Sequence, residues 1–201
     1  MARKSKVEST FWTMTITLLV VTVISAGLLA YVYKLTKAPI EQAQLREQKL
    51  ALQQVLPPFD NDPIKQSDTI PSDIPGKNFN LVVYPAYKDG KLVGVAIKTF
   101  TLKGFSGRFD VMVGFLPDGT IYNTIVLNYA ETPGLGDKID PKKSNFAQQF
   151  KGKNPAKFKL KVKKDGGDVQ AITAATISSR AYCDAVQRAY NAFKKLDLNK
   201  L

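Results

Sequence analysis

Four hydroxyl side chains, Thr173, Thr176, Ser178 and Ser179, fall within the run Ala171-Ile172-Thr173-Ala174-Ala175-Thr176-Ile177-Ser178-Ser179-Arg180. The residues between them are small or apolar. Ile177, Ala181, Ala185, Val186, Ala189, Tyr190 and Phe193 then recur at spacings of three and four, which predicts an amphipathic helix. The hydroxyls therefore sit where that helix begins. A helix start leaves backbone N–H groups unpaired and carries the positive end of the dipole. It attracts anions, and phosphate is a natural occupant. Ala174 and Ala175 let a ligand approach the backbone closely. The same residues also suit plain N-capping, which any helix start invites. Spacing alone leaves both readings open.

Composition narrows the chemistry. The chain has no His, so a Ser-His-Asp mechanism and a His-ligated zinc site are excluded. A single Cys, Cys183, rules out an intrachain disulfide. No metal site and no catalytic residue is expected. Two further runs stand out. Glu131-Thr132-Pro133-Gly134-Leu135-Gly136 has turn character from Pro133 and Gly134, and Leu135 could pack on a flat ligand. Gly104-Phe105-Ser106-Gly107 reads as a glycine-flanked turn around an aromatic residue.

Together these runs carry a family resemblance. The first resembles the flavinylation motif of the FMN-binding subunits of two ion-pumping complexes. These are the G subunit of the Rnf ferredoxin:NAD oxidoreductase and the C subunit of the sodium-pumping NADH:quinone reductase. That motif reads Asp-x-x-Ser/Thr-Gly-Ala-Thr, and its last Thr carries FMN through a phosphoester. It falls on Gln170, Thr173, Ala174, Ala175 and Thr176, with Gln170 in place of Asp and Ala174 in place of Gly. The Glu131–Gly136 run matches the Glu-Thr-Pro-Gly-Leu-Gly loop of the same proteins, and Gly104 and Gly107 fall in their glycine-aromatic turn. The resemblance implies FMN on Thr176. Thr173, Ser178 and backbone groups at Ala174 and Ala175 would hold the phosphate, and the Glu131–Gly136 loop would approach the flavin ring. A neutral Thr hydroxyl needs a base or outside help to react. The resemblance supplies that help as a separate flavin transferase, which uses FAD and metal.

These motifs need elements to position them. From Phe11 to Tyr33 there is no charge, a stretch of roughly 35 Å as a helix and enough for a bilayer core. Trp12, Tyr31 and Tyr33 sit near its ends, as in an aromatic belt. The run is too long for a cleaved signal peptide. Arg3, Lys4 and Lys6 before it nearly balance Lys34, Lys37, Arg46 and Lys49 after it, so charge does not orient the span. The resemblance implies an inner-membrane, single-pass protein with its domain on the extracytoplasmic side. Lys37 to Leu56 reads as a second helix with Pro39 in its first turn. Pro57 to Asn78 reads as a linker or irregular cover.

Strands are expected at Leu81–Tyr87 and Lys91–Thr101 around Asp89-Gly90, and at Arg108–Leu116 and Thr120–Ala130 around Asp118-Gly119. Asn145–Phe150 reads as a short helix. Lys157, Lys159, Lys161 and Lys163 alternate with Phe158, Leu160 and Val162, which predicts a half-buried strand with one lysine face. That face is either a sheet edge guarded against aggregation or a docking face for acidic partners or lipid headgroups. The net charge of +12 suits an anionic partner or acidic lipid. No nucleic-acid motif accompanies it, so nucleic acid is not expected.

The expected fold is α+β: an N-terminal transmembrane helix, a mainly antiparallel sheet and a C-terminal helix. The expected divisions are residues 1–36 as tail and anchor, 37–78 as helix and linker, and 79–201 as the FMN-binding domain. The resemblance implies a covalent-FMN electron-transfer subunit of an Rnf-type membrane complex, working beside other membrane subunits. It would have no catalysis of its own and no ion path in its single span. Two other readings are a membrane-anchored flavoprotein outside any pump and a non-redox anchored module that binds through the basic strand.

Overall fold

A computed structural model describes residues 11–72 and 79–198. Arg3, Lys4, Lys6 and the end of the expected linker lie outside the described residues. The chain divides between Glu47 and Gln48 into two compact units.

The first unit is helical. α1 (Phe11–Val55) is one helix of 45 residues, and its most apolar window has a mean hydropathy of 2.2 with none of it buried. Helices of this kind can cross a membrane. The hydroxyls of Thr15, Thr17, Thr22 and Thr36 each donate to a backbone carbonyl four residues earlier, so they need no water in an apolar surround. The second helix expected from Lys37 is continuous with the first, and Pro39 lies inside α1 instead of opening a new one. Its ring removes the N–H that would reach the carbonyl of Leu35. Good helix formers on both sides, Lys37 and Ala38 before and Glu41, Gln42 and Ala43 after, carry the helix through.

The second unit holds a five-stranded antiparallel sheet in sequence order: β1 (Asp68–Pro71), β2 (Asn80–Lys88), β3 (Lys91–Gly104), β4 (Gly107–Phe115) and β5 (Ile121–Asn128). β2, β3, β4 and β5 join one another by short turns. Asp89 and Gly90 both take positive φ, 50° and 73°, as a two-residue hairpin requires. Gly104 pairs with Gly107 across the β3–β4 turn. β1 falls inside the segment expected to be irregular cover; its four residues pair with β2 and leave little burial pattern to read.

Both faces of the sheet are buried. Leu81, Val83, Val95, Ile97, Val111 and Val113 point to one side, where α2 (Thr176–Phe193) and the loops before it pack. Tyr84, Ala86, Ala96 and Met112 point to the other, where the last turns of α1 bring Ala51, Leu52 and Val55. Tyr182 is the centre of the first core. Its ring meets Phe109, Phe146 and Phe150 at 5.3–6.4 Å, and its hydroxyl donates to Thr124 Oγ1 at 2.9 Å. Burial pushes that phenol well above its ordinary pKa.

The lysine run is not a strand. Lys157, Lys159, Lys161 and Lys163 are exposed and Leu160 and Val162 are buried, as the alternation predicts, but no sheet ladder forms. The segment folds back instead on Asp168 and Val169. Asp168 N–H donates to Lys159 O at 3.1 Å, Val169 N–H to Lys161 O at 3.0 Å and Lys163 N–H to Val169 O at 2.8 Å. Period-two burial records which side faces the core, and it needs no sheet partner.

Candidate functional site

α2 begins at Thr176 with Ala175 as N-cap, and no side chain caps it. Ala175 N–H donates to Ile172 O, and Ser179 is the first residue of the helix whose N–H reaches a protein acceptor, Ala175 O at 3.1 Å. The N–H groups of Thr176, Ile177 and Ser178 have no acceptor among the described residues. Ala174 turns the chain into the helix with φ of 61°. That is the left-handed region, which costs a residue with a Cβ about 1 kcal/mol. It is the position where the flavinylation motif has Gly, and the backbone shows why Gly suits it.

The four hydroxyls separate by depth. Thr173 is exposed and Thr176 is half-buried, while Ser178 and Ser179 are buried. Ser179 Oγ donates to Ala175 O at 3.0 Å and accepts from Ile172 N–H at 2.9 Å, which ties the loop to the helix. Ser178 Oγ donates to Glu131 Oε2 at 2.5 Å. Its hydroxyl is thus turned inward, which leaves Thr173 and Thr176 as the more exposed hydroxyls of the run. Ile177, expected on the core face, is 48% exposed. The core face of α2 runs instead through Ser178, Ala181, Tyr182, Ala185, Val186 and Ala189.

Glu131 gathers the three motifs. Its side chain is buried at 5% exposure. Oε1 accepts from the N–H of Ser106, in the Gly104–Gly107 turn, at 3.2 Å, while Oε2 holds Ser178. The two glycines beside it are needed for space. A Cβ on Gly104 would lie 2.6 Å from Glu131 Oε1 and 2.3 Å from Gly107 O, and one on Gly136 would lie 2.6 Å from both Glu131 Oε2 and Ser178 Oγ. The resemblance places Glu131 in a loop that approaches the flavin and does not single out Ser106. The structure uses this carboxylate to hold a turn, a loop and a helix start together.

The rest of that loop is fixed by its own contacts. Leu135 N–H and Asp137 N–H donate to Thr132 O at 3.2 and 3.3 Å, closing a turn over exposed Pro133 and Gly134, whose φ is 76°. Asp137 is buried against Lys143, with Nζ to Oδ2 at 2.8 Å, and that hydrogen bond holds its carboxyl below the usual range. Tyr129, just past β5, donates to Asp140 at 2.9 Å, bracing the same loop.

Exposed apolar side chains stand next to this polar knot in the sequence. Outside α1, the exposed large hydrophobic side chains among the described residues are Leu102, Phe105, Leu135 and Ile177. Three of them flank the knot in sequence: Phe105 precedes Ser106, Leu135 precedes Gly136 and Ile177 precedes Ser178. A free anion-binding helix start, a half-buried Thr hydroxyl and exposed apolar side chains together fit a ligand with a phosphate and a flat aromatic body.

That combination defines a flavin-nucleotide domain behind an apolar helix. Residues 104–191 match the FMN-binding domain, and residues 6–55 match the RnfG N-terminal region. A protein of Erwinia tasmaniensis, named as the G subunit of an ion-translocating oxidoreductase complex, is 39% identical over 178 residues, covering 86% of this chain and 85% of its own. The proteins of the same name from Vibrio cholerae and Shewanella piezotolerans are 36% and 38% identical, over 83% and 81% of this chain and 82% and 80% of their own. The chain belongs to this family, the G subunits of ion-translocating oxidoreductase complexes.

Proposed function

We propose that Thr176 carries FMN through a phosphoester, in an electron-transfer subunit of an ion-translocating oxidoreductase anchored in the membrane by α1. The observation that carries the site is a half-buried Thr, its hydroxyl without a hydrogen bond among the described residues, on the first residue of a helix whose leading N–H groups have no protein acceptor among those residues. That helix end bears roughly half a positive charge, which favours a phosphate there. Thr173 and the N–H groups of Ile177 and Ser178 would hold the phosphate oxygens. Leu135, Phe105 and Ile177 would cover the ring. FMN, when bound, supplies the redox chemistry, and this chain supplies position and an apolar, low-dielectric surround.

Thr176 is an acceptor and not a catalyst. A chain without His places no strong base beside it. A flavin transferase fits this need. The Thr oxygen forms the new P–O bond, the pyrophosphate bond of FAD breaks, AMP leaves and the hydroxyl proton passes to the transferase or to water. A tether also keeps the flavin at high effective concentration over its own site, which matters on the extracytoplasmic side, where lost flavin is not easily replaced. We place the domain on that side. The electrons would pass between ferredoxin and NAD through the whole complex, as the resemblance implies. The charge-free span from Phe11 to Tyr33 offers no ion path, so ion movement would belong to other subunits.

A phosphoester survives denaturation, whereas a bound flavin is released. The denatured band should therefore fluoresce under ultraviolet light when transferase is present. Thr176→Ala should abolish the fluorescence, and Thr173→Ala should at most weaken it. A fluorescent Thr176→Ala band, or a peptide mass placing the flavin on Thr173 or Ser178, would overturn the assignment. The same band reports the side of the membrane: protease added to intact spheroplasts should remove it, and digestion in inverted vesicles alone would reverse the orientation.

A further inference from the structure

One turn beyond Thr176, α2 borders a groove of about 830 Å³ that the flavin site does not use. Its walls include Lys103, Lys159, Lys161, Arg180, Asp165 and Asp184, and its floor includes Leu160, Val162 and Cys183. The floor is apolar and buried, and burial pushes the Cys183 thiol up to about 12, which leaves it protonated and inert.

We propose that this groove docks an acidic segment of another protein, one with apolar side chains set between its carboxylates. Charge is the first reason. Both wall carboxylates already have partners. Asp165 accepts two hydrogen bonds from Arg180, each at 2.7 Å, and Asp184 accepts from Lys103 at 2.6 Å, Thr101 at 2.9 Å and Arg188 at 3.1 Å. Burial works against the Asp184 charge, but these donors outweigh it and hold its carboxyl below the usual range. Lys159 and Lys161 form no ion pair among the described residues. Lys157, Lys163 and Lys164 stand exposed beside them. The wall is left with surplus positive charge and a ready counterpart in carboxylates.

The backbone removes the plainest alternative for these lysines. Charged side chains guard an open sheet edge against pairing. Residues 157–163 form no sheet edge, because Lys159, Lys161 and Lys163 spend backbone groups on Asp168 and Val169. Lys159 N–H is also taken, by Asp168 Oδ2 at 2.7 Å. The lysines are presented, not posted as guards. The shape then selects a polypeptide over a membrane. A lipid surface would meet a flat patch, whereas this site is concave and has an apolar floor.

That the partner is another subunit of the same complex rests on the functional reading above. A carbodiimide, which joins a lysine amine directly to a carboxylate, tests the proposal in native membranes holding the assembled complex. Peptides with Lys159 or Lys161 should be joined to one acidic stretch of one neighbouring subunit. Lys159→Glu with Lys161→Glu should cut that product at least tenfold, while Thr176 fluorescence and the melting temperature stay as in the parent. Lys159→Gln with Lys161→Gln, which removes charge without reversing it, serves if the double Glu variant fails to fold. Crosslinks elsewhere in the complex but none at these lysines would overturn the proposal. So would binding of the full-length protein to phosphatidylglycerol vesicles that the substitutions abolish, without any inter-subunit product. Loss of fluorescence with the crosslink intact would count against the flavin site alone.

Discussion

The start of α2 and the groove one turn along it are built in opposite order. At the helix start the buried groups are polar: Glu131 and Ser178 are joined inside and tied to the N–H of exposed Ser106, and Phe105, Leu135 and Ile177 are exposed. In the groove the apolar groups lie below, with Leu160, Val162 and Cys183 on the floor and charged side chains on the walls. The second order is the ordinary one for a water-facing surface. The first is unusual, because apolar area is left in water above a buried polar network that could have been apolar. An inverted order of this kind marks a place where something apolar is to cover the surface. The polar network beneath it fixes where the cover sits.

The contrast breaks most readily at Glu131. Glu131→Ala leaves the buried Ser178 hydroxyl and the Ser106 N–H without their acceptor. Ser178 is buried and Ser106 is exposed, so one unpaired buried group, at about 1–3 kcal/mol, sets the loss, seen as a fall of roughly 3–10 °C in melting temperature. Labelling of Thr176 should fall with it, since the helix start loses one of its ties. Glu131→Gln keeps an acceptor for Ser106 and a group that can pair with Ser178, and should recover at least half of the loss. If Glu131→Ala melts like the parent, the knot does not position the site.

Ala174 offers a smaller test with the opposite sign. Its φ of 61° strains a residue with a Cβ. Ala174→Gly should raise stability by about 0.5–1 kcal/mol, because relief of left-handed strain outweighs the added freedom of the unfolded chain. A higher urea midpoint with an unchanged slope would report this. A lower midpoint would mean that the turn into α2 is not strained as the backbone indicates.

How far the sequence foretold these features depends on the range of the interaction. Asp89-Gly90 announced its hairpin because positive φ is a local demand that Gly meets. The start of α2 was legible for the same reason, in its hydroxyls and small residues. The Glu131 knot was not, because it joins residues 25 and 47 positions apart and its partner Ser106 contributes only a backbone N–H. Ile177 fitted a helical apolar stripe and yet faces out, since the stripe is shared with buried Ser178. The lysine alternation reported burial truly, but pairing is a property of two segments, and the partner that Lys159 to Lys163 found was a tight turn. Pro39 suggested a helix start because its own restriction is local, whereas the helix formers around it act over several turns.

The smallest expected change in stability comes with the most specific change in the cofactor. Leu135 is 42% exposed, and the turn is held by backbone bonds from Leu135 and Asp137 to Thr132 O that the side chain does not share. Leu135→Ala should therefore move stability by no more than about 0.5 kcal/mol. The tether proposed on Thr176 should survive, because that hydroxyl lies on another element. If Leu135 packs on the flavin ring, removing it admits water to one face, raises the local polarity, and should shift both the visible absorbance and the midpoint potential. The measurement is a redox titration of the labelled protein with spectra taken throughout. Unchanged absorbance, potential and transfer rate would return this loop to a plain surface turn, and the inverted surface above Glu131 would then have to be covered by something other than the flavin.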